Sequence, residues 1–87
     1  MKWQVILASR AVADARKLSR AGLRTRAERL LRLLEEDPFA APPPFEKLVG
    51  NLKGFYSRRI NLQHRLVYTI DRPRRAVHVL RMWTHYE

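Results

Sequence analysis

The hydrophobic period of this chain changes from that of a helix to that of a strand across a segment that contains three consecutive prolines, at residues 42–44. Before the prolines, Ala27, Leu30, Leu31 and Leu34 recur at the i, i+3, i+4 and i+7 spacing of one helix face. After Gly54, apolar and polar residues alternate, which is the spacing of a strand with one buried face. Proline has no N–H to donate, so the run itself is predicted to be a stiff, extended connection. The sequence therefore predicts a helical half followed by a sheet.

Capping signals indicate where the predicted helices begin and end. The first helix is predicted to have Ser9 as its N-cap and to end at Gly22. The second is predicted to begin at a capping box over residues 25–28 and to run to about residue 36. Asp37-Pro38 should stop it, because the residue before a proline is pushed out of the helical region.

The remaining segments predict strands and the loops between them. Strands are predicted over residues 3–7, 56–61, 65–71 and 76–85, and a surface loop over 45–54. The last three strands form a meander, and the first strand can join the same sheet. We therefore predict a single α+β domain over residues 1–87, with the order β-α-α-β-β-β. In it, two N-terminal helices pack on one face of a small antiparallel sheet.

The charge balance points to a polyanionic partner. The chain has 18 Lys and Arg against 8 Asp and Glu, a formal charge of +10, and 14 of those cations are Arg. A guanidinium can bind two phosphate oxygens at once, although genomic base composition can also enrich Arg over Lys. Residues 47–87 carry nine cations and two anions, against nine and six in residues 1–46. The C-terminal half is thus the predicted surface for nucleic acid.

Several other classes of site are disfavoured. The absence of Cys excludes disulfides and thiolate zinc sites, and the three His lack the spacing of a metal cluster, so neither a metal nor a cofactor is predicted. The apolar run at the N-terminus is too short for a signal peptide, and no stretch approaches the roughly 20 residues that span a bilayer. We expect a cytoplasmic protein without a membrane partner.

Acid–base groups accompany the basic residues. Alternation predicts that Arg59 and Arg65 lie on the sheet face opposite Leu66, Tyr68 and Ile70, away from the helices. The only carboxylate between positions 37 and 71 is at position 46, and an imidazole and a phenol stand next to each other at positions 85 and 86, just before the last residue. A base, an acid and phosphate-binding cations are therefore all available.

Four sequence blocks, in order, resemble a known family along nearly the whole chain. They are FEKL at 45–48, NLKGFYSRRI at 51–60, HRLVY at 64–68 and the HY pair at 85–86. The chain is similar to the YoeB/Txe group of the RelE-type toxins, which are ribosome-dependent mRNA interferases of bacterial type II toxin–antitoxin modules. The family's two helices on an antiparallel sheet agree with the predicted elements.

The resemblance implies a catalytic set. Glu46 is expected to be the general base, Arg65 to stabilise the transition state, His85 to be the general acid and Tyr86 to sit beside the scissile nucleotide. Such a set cleaves RNA without a metal. The carboxylate takes the proton of the 2'-hydroxyl that attacks phosphorus, the imidazolium gives one to the 5'-oxygen, and arginine binds the developing charge. The product ends in a 2',3'-cyclic phosphate.

The resemblance also implies binding residues and partners. Arg59 matches a further basic position of the family's site and is expected to bind RNA phosphate, and the positive charges of Arg58, Lys53 and Lys47 make the same role expected for them. The expected partners are mRNA on the ribosome with its rRNA, a cognate antitoxin of the YefM/Phd type, and a second copy in a homodimer. The chain departs from the family at Val49, where some relatives carry a Lys, at 83–84, and in the additional residue 87.

Other interpretations of these residues stay open at this point. Glu46 could form a surface ion pair with Lys47 or Lys53, and His85 could be a packed histidine at a strand end. The same fold could serve a non-catalytic inhibitor, as in the related gyrase-poisoning branch. A small basic module that binds ribosomes or nucleic acid without cleaving RNA is the third class.

Overall fold

The computed structural model describes residues 2–84 of the chain. Two helices come early and a meander of three strands comes late, as predicted, and the late half also contains a short strand that was not predicted. The elements are β1 Gln4–Leu7, α1 Ser9–Arg20, α2 Arg24–Glu36, β2 Glu46–Lys47, a 3-10 helix Gly50–Leu52, β3 Phe55–Arg59, β4 Arg65–Asp71 and β5 Ala76–Thr84. The predicted α+β class is confirmed, and β4 has the predicted limits. No helix of the described part is long and apolar enough to cross a membrane.

The five strands form one sheet in the order β1-β5-β4-β3-β2. Hairpins make β3, β4 and β5 antiparallel, but β1 runs parallel to β5. The sheet is therefore mixed: the predicted antiparallel pairing is confirmed for the meander but does not hold for β1. The reason is that no hairpin joins β1 to β5, so chain connectivity does not impose an antiparallel pairing on these two strands.

The strand β2 lies in the segment predicted to be a loop. Its two residues pair with β3, Glu46 opposite Ser57 and Lys47 opposite Tyr56. Two residues are too few to produce a visible alternation, so no sequence period could indicate this strand. Its pairing fixes Glu46 to the edge of the sheet.

The helices cover one face of the sheet, and the core lies between the two layers. Leu18 of α1, Leu34 of α2, and Leu66, Tyr68 and Val79 of the sheet are all fully buried there. Leu66 and Tyr68 of β4 belong to this core, as predicted, whereas Val67 between them is buried outside the core cluster. The opposite face of the sheet carries no helix, and polar side chains can lie on it at little cost.

The turn between the helices confirms one capping prediction and contradicts two. Gly22 has φ +78°, and the N–H of Leu23 donates to the carbonyl of Leu18 at 2.9 Å, which closes a glycine-terminated helix end. The predicted N-caps are wrong. Ser9 lies in the first turn of α1, and the predicted box at 25–28 lies inside α2, where Glu28 pairs with Arg24 at 3.4 Å. Because α2 already begins at Arg24, Thr25 lies inside the helix and cannot be its N-cap.

A buried carboxylate joins α1 to the end of β5. Asp14 is 2% exposed and accepts hydrogen bonds from Arg81 Nε at 2.8 Å and from the Met82 N–H at 3.0 Å. The β4–β5 register shifts here, with Val67 opposite Arg81 but Arg65 opposite Thr84. A bulged strand leaves backbone groups unpaired, and Asp14 satisfies one of them. Burial raises the pKa of Asp14, but these hydrogen bonds outweigh burial, so the pKa lies below its ordinary value.

Candidate functional site

The helix-free face of the sheet holds a small cavity. Register places Glu46 beside Ser57, and Arg59 beside Arg65, and cross-strand partners share a face. Their side chains line a cavity of about 170 Å³ whose wall is completed by Pro43 and Pro44. Three residues singled out in the sequence, at positions 46, 59 and 65, therefore meet in one place.

An ion pair organises this cavity. Arg65 Nη1 lies 3.2 Å from Glu46 Oε2 and 3.4 Å from Ser57 Oγ. The Arg65 side chain is 14% exposed, whereas that of Glu46 is 63% exposed. The arginine is thus held in place, and the carboxylate faces solvent. A carboxylate that is both anchored and accessible can take a proton from a ligand that enters the cavity.

The structure gives Glu46 a different ion-pair partner from those considered in the sequence. Lys47 is opposite Tyr56 in the β2–β3 pairing, so its side chain leaves the strand on the face opposite to Glu46. Lys47 and Lys53 line a separate pocket of about 360 Å³, together with Val49. The two lysines are therefore not brought together with Glu46, and phosphate binding by them stays a prediction.

Arg58 contradicts its predicted role in phosphate binding. Arg58 is only 1% exposed, and its cross-strand partner is Leu66, a residue of β4 that faces the core. Its guanidinium donates to Tyr68 Oη at 2.9 Å and to the carbonyls of Pro38, Ala40 and Pro43 at 2.7–2.9 Å. Neighbouring residues of a strand point to opposite faces, so Arg59 reaches the open face and Arg58 does not. No phosphate can reach this side chain in the structure as it stands.

The turn between β3 and β4 supports the rim of the cavity. Exposed Arg59 donates from Nη1 to the carbonyl of Leu62 at 3.2 Å. Asn61 Oδ1 accepts the backbone N–H groups of Gln63 at 2.9 Å and His64 at 2.7 Å, which closes the turn. The turn thus holds a cation beside the cavity and leaves its remaining donors available to a ligand.

His64 connects this turn to the last described residues of β5. Its ring stacks on Trp83 with centroids 3.9 Å apart, and Nδ1 lies 3.0 Å from the Trp83 carbonyl oxygen. Because a carbonyl oxygen only accepts, Nδ1 carries the proton. Thr84, the next residue, is opposite Arg65 in the sheet. His85 and Tyr86 lie outside the described residues, so their predicted roles are not tested by this geometry.

Sequence reasoning missed Ser57 and the supporting role of His64. Ser57 is 2% exposed and contacts the guanidinium of Arg65 from within the cavity. It is two residues before Arg59, so strand alternation could have placed it on the same face. The stacking of His64 on Trp83 joins residues 19 positions apart, and no local pattern indicates it.

Comparison with known proteins shows the family. Residues 13–86 match the family described as YoeB-like toxin of bacterial type II toxin-antitoxin system. A Toxin YoeB from Synechocystis sp. is 51% identical over 41 residues, which cover 47% of this chain and 48% of that protein. The chain spans about half the length of the curated relatives it matches.

Solved structures resemble the chain over nearly its full length. A YoeB/ParE toxin from Agrobacterium tumefaciens has a TM-score of 0.85 and 27% identity, covering 95% of this chain and 99% of that one. YoeB from Staphylococcus aureus has a TM-score of 0.78 both in a YoeB-YefM complex, at 28% identity, and as a dimer, at 30% identity. Each covers 99% of this chain and 100% of that one. The chain therefore belongs to the YoeB-like toxins of bacterial type II toxin–antitoxin systems.

Proposed function

We propose that this chain is a metal-independent endoribonuclease that cleaves mRNA in the A site of the ribosome and acts as the toxin of its module. The observation that carries the proposal is the Glu46–Arg65 pair, 3.2 Å apart, in a cavity on the open face of the sheet of a YoeB-like toxin. A solvent-facing carboxylate and a fixed guanidinium are a base and an anion-binding group within reach of one substrate.

In the proposed reaction, Glu46 removes the proton of the 2'-hydroxyl while the 2'-oxygen forms a bond to the adjacent phosphorus. The bond from phosphorus to the 5'-oxygen breaks, and His85 gives that oxygen a proton. The products end in a 2',3'-cyclic phosphate and a 5'-hydroxyl. Arg65 and Arg59 bind the charge that accumulates on the phosphorane, and Tyr86 stacks beside the nucleotide. Arg65 has five donors, so it can keep one on Glu46 and turn others towards phosphate.

The proposed partners follow from charge and from the relatives. A chain of net charge +10 suits the phosphates of mRNA and rRNA, and also an acidic segment of a YefM/Phd-type antitoxin. S. aureus YoeB has been solved with YefM and as a dimer. We propose that this chain likewise binds a cognate antitoxin, forms a homodimer and acts in the cytoplasm, where ribosomes are found.

Cleavage of labelled mRNA tests the proposal, on ribosomes and free in solution. The purified chain should cut ribosome-bound mRNA much faster than free RNA and leave 2',3'-cyclic phosphate ends. Glu46→Gln and His85→Gln should each lower the rate by about 100-fold or more, because acid–base groups contribute on this scale. Retained cutting in both variants would exclude this mechanism. Growth inhibition without any cutting would favour the non-catalytic inhibitor. Salt-sensitive binding without cutting or growth inhibition would favour the nucleic-acid-binding module.

A further inference from the structure

A buried guanidinium holds the segment that leads into β2. This segment, residues 38–45, is called the proline segment below. Arg58 donates from Nη2 to the carbonyls of Pro38 at 2.9 Å and Ala40 at 2.8 Å, and from Nη1 to that of Pro43 at 2.7 Å. Its Nε donates to Tyr68 Oη at 2.9 Å. One side chain from the middle of the sheet thus binds three carbonyls of one connection.

An aromatic stack closes the other side of the same guanidinium. The Arg58 Cζ atom lies 4.8 Å from the centre of the Phe45 ring. Phe45 meets Tyr56 edge to face at 5.8 Å, and Tyr56 stacks on Tyr68 at 5.7 Å. The ring of Phe45 is therefore fixed by a cation and by a second aromatic ring. Phe45 is the residue directly before Glu46.

The chemistry of the proline segment explains why the clamp is an arginine. Prolines supply no N–H groups, so the segment is rich in acceptors and poor in donors. A planar guanidinium offers five donors in fixed directions, whereas an ammonium is a compact point charge. Among residues 2–84, no carboxylate hydrogen-bonds Arg58. Burial raises the pKa of the Tyr68 hydroxyl although Arg58 lowers it, so Tyr68 stays a neutral acceptor. A buried cation is costly, and here carbonyl dipoles and a ring compensate it.

The proline segment is also a wall of the cavity that contains Glu46. Pro43 and Pro44 line that cavity, and the carbonyl of Pro43 is held by Arg58. The strand that carries Glu46 has only two residues, paired with β3. The pairing of so short a strand holds it only weakly, so the proline segment that precedes it must also keep it in place.

We propose that Arg58 is a positioning residue for the carboxylate of Glu46, acting through the proline segment and Phe45. It touches no substrate, and its effect on cleavage rests on the proposed function of Glu46. A displacement of about 1 Å at a reacting group can cost on the order of 100-fold in rate. Loosening the clamp should therefore lower the cleavage rate while leaving the binding of ribosomes unchanged.

The test compares Arg58→Lys, Arg58→Met and the milder Tyr68→Phe with Leu18→Ala. Leu18 is a fully buried residue of α1, so its truncation destabilises the fold without touching the clamp. Hydrogen–deuterium exchange is measured for residues 38–48 and for β4. Relative to the unmodified chain, both Arg58 variants should accelerate exchange more in residues 38–48 than in β4. Tyr68→Phe should show the same selectivity more weakly. Leu18→Ala should accelerate both regions together.

Kinetics then separate positioning from a general loss of stability. Arg58→Lys should lower the single-turnover cleavage rate by about tenfold or more with ribosome affinity within about twofold. The loss should vanish in a Glu46→Gln background, because no base is left to position. An unaltered rate in a folded Arg58→Lys variant, or an equal loss in both backgrounds, overturns the proposal. If Arg58→Lys does not fold, unaltered exchange and rate in Tyr68→Phe overturn it instead.

The two proposals can fail separately. If Glu46→Gln cuts as fast as the unmodified chain, the function proposed for Glu46 is wrong, whatever the clamp does. Selective exchange in residues 38–48 does not depend on cleavage, so its absence in the Arg58 variants would reject the clamp even if Glu46 proves to be the base.

Discussion

Replacing Asp14 by alanine should destabilise the fold by an amount that its contacts set. The carboxylate binds Arg81 Nε at 2.8 Å, Arg81 Nη2 at 3.3 Å and the Met82 N–H at 3.0 Å. Met82 is fully buried, so its N–H would lose its partner out of reach of bulk water, at a cost of about 1–3 kcal/mol. The Arg81 side chain is 26% exposed and can rehydrate, so the lost pair adds only about 1 kcal/mol. We expect a total loss of about 2–4 kcal/mol in the free energy of unfolding at pH 7.

The ionisation of Asp14 should also make the stability of the fold depend on pH. The folded-state pKa of Asp14 lies below the ordinary value of 3.8. The contribution of its carboxylate is therefore complete above that value and is lost as the pH falls through the folded-state pKa. Stability of the unmodified chain should drop in this acidic range, and the part due to Asp14 should be missing in Asp14→Ala. The gap between the two proteins should narrow as the pH falls.

Urea unfolding followed by tryptophan fluorescence measures this gap at pH 7 and at acidic steps. Asp71→Ala is the matched control, because Asp71 at the end of β4 binds the side chain and the N–H of Arg74, an exposed residue of the following turn, so its removal should lower stability much less than Asp14→Ala at pH 7. A gap below about 1 kcal/mol for Asp14→Ala at pH 7 would refute the role given to the buried pair. A gap that stays constant down to acid denaturation would refute the assigned direction of the pKa shift.

Four further substitutions test smaller features by the same unfolding assay. His64→Phe keeps a ring on Trp83 but loses the 3.0 Å hydrogen bond, so we expect a loss of about 1 kcal/mol; an unaltered midpoint would contradict this. Gly54→Ala should cost about 1–3 kcal/mol because φ is +94°, although a Cβ there would contact nothing within 4 Å. Gly50→Asn, at φ +67°, should cost less than Gly54→Ala, and the reverse order would be evidence against backbone strain. Lys2→Ala should leave the unfolding midpoint almost unaltered, since its pairs with Glu35 and Glu36 are exposed, and a clear drop of the midpoint would contradict this.

Elements with a long, regular period were predictable from the sequence, and those that depend on distant contacts were not. Alternation over residues 65–71 gave β4 its observed limits, and Gly22 marked the observed helix turn. The two residues of β2 are too short for a period, and the parallel pairing of β1 with β5 joins opposite ends of the chain. Register and pairing partners of this kind come from tertiary packing rather than from local propensity.

The candidate site shows the same division. Alternation correctly placed Arg59 and Arg65 on the helix-free face, because both follow the period of their strands. Arg58 was misassigned because its charge suggested a surface role, although the same alternation puts it with Leu66 on the core side. Its acceptors lie 15–20 residues away in the proline segment. A sequence pattern could not show that these carbonyls offset the cost of burying a guanidinium.

The most direct measurement is the single-turnover rate of mRNA cleavage on programmed ribosomes for Glu46→Gln beside Asp71→Asn. Both substitutions neutralise a carboxylate that is paired with an arginine, but only Glu46 lies in the cavity with Arg65. Glutamine keeps the size and an acceptor for Arg65 but cannot take a proton, so we expect the rate to fall by about 100-fold or more. Asp71→Asn should cut within about twofold of the unmodified chain. Equal rates for all three proteins would contradict the assignment of Glu46 as the base.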